Sequence, residues 1–189
     1  MKLFTDHRLT IAAGFVLAAI LIGAGIARSG TVPDVYDLAR WGHFLAGITW
    51  VGLLYYFNFV QVPSLAAVSA GTKAELFQEG GIVRRALWWF RWAAMFTLIF
   101  GGILYMHLAK TGAEGVDIRI GATLAIIMWF NVWFIIWPAQ KRVIGIVEAD
   151  AGAKAAAGRR ALIASRTNVL LSIPMLFFMA SSAHFPIFN

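Results

Sequence analysis

The chain has 189 residues, of which 60% are hydrophobic and 13% charged, with a net charge of +7 and no cysteine. So little polar surface could not cover a soluble core of this size, and the composition reads as a polytopic membrane protein. The missing cysteines exclude disulfides, thiolate zinc sites, iron–sulfur clusters and covalent c-type haem. The basic residues flank apolar segments, so they read as a topology signal and not as a nucleic-acid surface.

The expected fold class is all-α: one integral membrane domain over residues 1–189, with five spans at about 9–27, 38–62, 86–108, 120–137 and 167–185. The first could be read as a signal peptide, but its apolar run exceeds the usual signal core of about 7–15 residues. We take it as a retained helix whose Ala19, Gly23 and Ala27 form a face for close packing. The second contains WGHFLAGITWVGLLYYFNFVQVP, Trp41–Pro63, and Pro63 is expected to end it. A short surface helix is predicted over Lys73–Gln78, ahead of Gly80 and Gly81.

The third span opens with the aromatic run Trp88–Trp92, an interfacial belt from which Arg91 is expected to snorkel to headgroups. The fourth should stop at Pro138. The polar, alanine-rich stretch 148–165 reads as an amphipathic extension outside the membrane, and the last span carries Pro174, which predicts a kink.

With the N-terminus inside, eleven Lys and Arg fall in inner segments and four in outer loops. The positive-inside rule therefore predicts a cytoplasmic N-terminus and a C-terminus outside. That topology places His43, His107 and His184 at similar depth in the outer leaflet, with His7 in the inner tail.

His43 is followed by Ala46, Gly47 and Trp50 on its own face, and His184 is preceded by Ala180 and Ser181. Two imidazoles beside small residues are what a b-type haem needs: a nitrogen for each axial bond and space for the porphyrin edge. The candidate cofactor site is therefore His43 and His184 as haem-iron ligands, with Gly47 and Ala180 giving room and Trp50 and Tyr105 as walls. The plainer alternative is that these histidines sit at the interface, bonded to water or a carbonyl; we favour that for His107. Asn58, Gln61, Asn131 and Asn168 read as interhelical glue. No Asp or Glu falls within the spans, which argues against a pump or proton-coupled carrier.

The stretches Gly121–Arg142 (GATLAIIMWFNVWFIIWPAQKR), Ser165–Pro186 (SRTNVLLSIPMLFFMASSAHFP) and Trp41–Phe57 resemble the membrane domain of bacterial PuuD-type urate hydroxylases. The resemblance rests on the spacing of Asn131, Pro138 and Gln140 and on the run Arg166, Asn168, Ser172, Pro174, His184, Pro186. It implies an oxidation in the membrane with electrons passed to a cytochrome c domain outside, and His43 and His184 fall on histidine positions of the family. It also has histidines where this chain carries Trp89, Arg119 and the 78–80 stretch.

Two functions follow. One is a haem-binding redox module, an oxidoreductase not active alone, that hands electrons to a periplasmic cytochrome c. The other is an accessory or scaffold subunit of a larger membrane complex, with no cofactor of its own.

Overall fold

The computed structural model describes residues 2–188, and among these it is all-α, with seven helices. They are α1 (Lys2–Thr5), α2 (His7–Ser29), α3 (Val35–Ala67), α4 (Ala70–Phe77), α5 (Ile82–Thr111), α6 (Val116–Val143) and α7 (Ala151–His184). All but α1 and α4 are long and apolar enough to cross a bilayer.

The chain divides at Asp37 into two units. In the first, the Asp6 carboxylate accepts the Arg8 N–H at 2.9 Å and so caps α2. Gly30 ends α2 at φ 70°, a left-handed conformation that a side chain would resist.

The second unit, residues 38–189, has one main apolar core. α3 contributes Trp50, Leu54 and Phe57, α5 Leu87, Phe90 and Ala94, α6 Met128, Val132 and Ile136, and α7 Met175. Phe57 and Phe90 meet edge to face with ring centroids 5.2 Å apart. A second contact, of buried alanines, joins Ala139 of α6 to Ala157 and Ala161 of α7, with Val143 packed against it. Side chains as small as alanine let the two helices approach closely.

Both prolines expected to end spans instead sit inside continuous helices. Ahead of each, the helix widens to a π-turn, over Tyr56–Gln61 in α3 and Asn131–Ile136 in α6. The Val62 N–H reaches back five residues to the Phe57 carbonyl, and Trp137 likewise to Val132. A proline has no N–H to give and its ring collides with the carbonyl four residues back. The wider turn accommodates that ring, so α3 runs on to Ala67 and α6 to Val143.

Two further boundaries differ from expectation. The polar stretch before the last span is helical and continuous with it: α7 is one helix from Ala151, capped by the Asp150 carboxylate on the Ala153 N–H at 2.7 Å. The surface helix is Ala70–Phe77, started by Ser69, whose hydroxyl accepts the Thr72 N–H. Arg84 fastens this end of the bundle, donating from Nε to the Phe77 carbonyl at 2.9 Å and from Nη2 to the Ile144 carbonyl at 2.7 Å.

Candidate functional site

The His43 ring has a defined backbone partner on α5. Its Nδ1 lies 3.0 Å from the Thr97 carbonyl of α5. A carbonyl only accepts, so Nδ1 carries the proton and Nε2 of the neutral ring keeps its lone pair. The ring lodges against Gly101 of α5, where an added Cβ would lie 3.0 Å from its Cε1. The neighbouring close approaches are Gly42 on the Phe100 ring and Gly47 on the Thr97 methyl. Glycines in α3 and α5 thus bring the two helices together around the imidazole.

The remaining candidates divide. Trp50 is 1% exposed and belongs to the packed core, with its Nε1 buried and unpartnered among the described residues. Tyr105 and His107 are half-buried, Ala180 is exposed, and His184 is exposed at the last residue of α7.

The register between α3 and α7 fixes how the two histidines relate. The Ser172 hydroxyl gives its proton to the Val169 carbonyl at 2.7 Å, so Tyr55 is the donor in the 2.9 Å bond to Ser172 Oγ. His43 lies twelve residues before Tyr55 and His184 twelve after Ser172, so in antiparallel helices both stand about 18 Å beyond that bond, at one level. Twelve residues also turn each helix by about 120°, and in an antiparallel pair those turns carry the side chains to opposite sides. The contacts agree: the His43 ring faces α5, while the end of α7 is bound to the start of α6. The Nδ1–H of His43 is fixed by a carbonyl, the arrangement that orients an imidazole whose other nitrogen serves as a ligand. A haem bracketed by both rings of one chain does not fit this geometry. Among the described residues no three His, Asp or Glu side chains gather as a metal site.

A polar ladder along α7 holds the bundle. Ser165 accepts from Asn58 Nδ2 at 2.8 Å, and Asn168 Oδ1 accepts from Asn131 Nδ2 at 2.8 Å. Asn168 in turn donates to the Met128 carbonyl at 2.9 Å. Asn58 and Asn131 lie in the two π-turns. Three of the four glue residues therefore act as the sequence suggests, while the Oε1 of Gln61 is buried with no partner among the described residues.

Asp117, just ahead of the fourth expected span, is a buried carboxylate that the sequence reading does not foresee. In the first turn of α6 it is 2% exposed. Its Oδ2 accepts the Ser181 hydroxyl at 2.7 Å and the Ile187 N–H at 2.7 Å, and its Oδ1 accepts the Phe188 N–H at 3.0 Å. The only sequence signal was its place at a helix N-terminus, where a negative charge is favoured. Ser181, read as a small residue making room for a ring, is committed to this carboxylate. Arg91 also departs from expectation: its guanidinium carbon lies 3.3 Å from the centre of the Trp137 ring, a cation–π stack on α6.

Residues 109–189, from the last turn of α5 through α7, match the family described as Urate oxidase N-terminal. The stretch Trp41–Phe57 lies outside the matched residues. No curated protein and no solved structure matches the chain.

Proposed function

On the strength of that family match, we propose that this chain is an integral membrane subunit of a urate-oxidising or chemically related system, serving as an accessory or scaffold module for a larger membrane complex. The observation that carries this reading is the use to which the matched segment puts its polar groups. Asn131, Asn168, Ser172, Ser181 and Asp117 bind one another, α3 or the backbone, so they serve helix assembly. In this reading the oxidation belongs to a partner, and the chain by itself turns over no urate. The charge distribution supports an N-terminus in the cytoplasm and a C-terminus in the periplasm of a bacterial inner membrane.

A second reading is favoured by one specific observation, the His43 ring held through Nδ1–H by the Thr97 carbonyl at a glycine-lined helix contact. It is a b-type haem module that passes electrons to a periplasmic cytochrome c. Bound haem would supply one-electron chemistry, and His43 would supply one axial nitrogen.

Purification from the native membrane in mild detergent separates the two. A colourless chain in fixed stoichiometry with an oxidoreductase supports the scaffold reading. A chain that elutes alone with a Soret band, lost in His43→Ala, overturns it in favour of the redox module. If the band survives His43→Ala but not His184→Ala, the axial assignment moves to α7.

A further inference from the structure

At the end of the bundle where α6 finishes and α7 begins, the two helices leave an open cleft of about 500 Å³. Its lining is largely apolar, from Ile135 of α6 and Ala156, Ile163 and Ala164 of α7, with Asn131 and Thr167 as uncharged polar members. Arg159 and Arg160 also line it. Both are exposed, and neither has a hydrogen-bond or ion-pair partner among the described residues. No carboxylate lines the cleft.

The depth of these residues follows from their neighbours. Ala139 packs on Ala157 and Ala161, so the two arginines are level with a point about one turn inside the end of α6. Asn131 lies eight residues further in, about 12 Å along the helix. The cleft therefore runs from a doubly cationic mouth at the bilayer edge down an apolar track towards mid-membrane. Guanidinium groups match phosphate oxygens in two-point contacts, and the track excludes anything without a hydrocarbon part.

We propose that this cleft is a binding site for an acidic phospholipid, with the headgroup phosphate on Arg159 and Arg160 and one acyl chain laid between Ile135 and Ile163 towards Asn131. The charge at the mouth selects the acidic headgroup over a zwitterionic one, whose ammonium would meet two like charges. The apolar track selects a lipid over a water-soluble phosphate.

The test uses the full chain purified in detergent, with retained lipid read by native mass spectrometry after adding phosphatidylglycerol or phosphatidylcholine of matched chains. The expected result is a preference for phosphatidylglycerol of about tenfold, lost in the double variant Arg159→Gln, Arg160→Gln. Ala156→Trp, which fills the exposed cleft and leaves the charge alone, lowers retention of both lipids. Helicity by circular dichroism should be unchanged in each variant, and Arg159→Lys, Arg160→Lys, which keeps the charge, should retain most of the preference. Equal retention of the two lipids by the wild-type chain overturns the proposal, as does a preference that survives the double glutamine variant. So does competition by glycerol phosphate as strong as that by the lipid, which would mark a free-anion site.

Discussion

The hydroxyl of Ser181 donates to the carboxylate of Asp117 at 2.7 Å, joining the last turns of α7 to the first turn of α6. The same carboxylate holds the backbone N–H groups of Ile187 and Phe188, so one side chain clasps the segment on both sides of His184. It accepts three hydrogen bonds and donates none, which a carboxylate can do and a carboxamide cannot.

Asp117→Asn should therefore open the clasp. One carboxylate oxygen becomes an NH₂ group facing an N–H or O–H donor, whichever way the amide turns. Hydrogen exchange at the amides of Ile187 and Phe188 is expected to rise by about tenfold or more. Ser181→Ala removes one donor and leaves both backbone bonds, so its effect on those amides should be much smaller. Equal exchange in the two variants would show that the carboxylate does not hold this segment.

The Asn131–Asn168 pair predicts a measurable coupling between α6 and α7. Asn168 is 0% exposed and satisfies both the Asn131 amide and the Met128 carbonyl. Interhelical hydrogen bonds of this kind contribute about 0.6 kcal/mol on average and up to about 1.7. A double-mutant cycle on Asn131→Ala and Asn168→Ala, read by unfolding in mixed micelles, should return a coupling within that range. Asn168→Ala should cost more than Asn131→Ala, because it also removes the bond to the Met128 carbonyl.

Arg91 and Trp137 give a third test. The stack at 3.3 Å should be worth about 0.5–2 kcal/mol, depending on how dry the site is. Arg91→Met keeps the aliphatic stem and loses the charge, and Trp137→Leu removes the π face. Each variant should destabilise the unit, and a cycle between them should recover the stacking energy. Strict additivity would mean that Arg91 instead works through lipid headgroups, as a snorkelling residue would.

What the sequence discloses and what it conceals have separate physical causes. The five spans are legible because about 20 apolar residues in a row have few other fates, and the polar glue is legible because an amide in hydrocarbon must find a partner. The π-turns were hidden: Pro63 and Pro138 read as terminators because a regular helix cannot absorb them, and nothing local signals that a widened turn will. Asp117 was hidden for a different reason. Its partners Ser181, Ile187 and Phe188 lie more than sixty residues away, and its burial is set by how α7 closes onto α6. The histidines were half legible. Their common level follows from counting residues, but their facing depends on a rotation that hydropathy does not encode.

The adjacent glycines Gly101 and Gly102 provide the sharpest test of how His43 is held. In an exposed helix interior, Gly→Ala stabilises by about 0.5–1 kcal/mol because it reduces the freedom of the unfolded chain. Gly102 has no neighbour within 4 Å of where a Cβ would sit, so Gly102→Ala should show that gain. At Gly101 the added carbon would lie 3.0 Å from Cε1 and 3.2 Å from Nδ1 of His43. The ring must then move, and the movement strains the Nδ1–H bond to the Thr97 carbonyl, worth about 0.5–1.5 kcal/mol. Gly101→Ala should accordingly lose stability where its neighbour gains it. The ¹⁵N resonances of His43 should also change from a single Nδ1–H tautomer to a mixture. If both alanine variants stabilise alike and the tautomer is unmoved, the imidazole does not occupy the notch between α3 and α5.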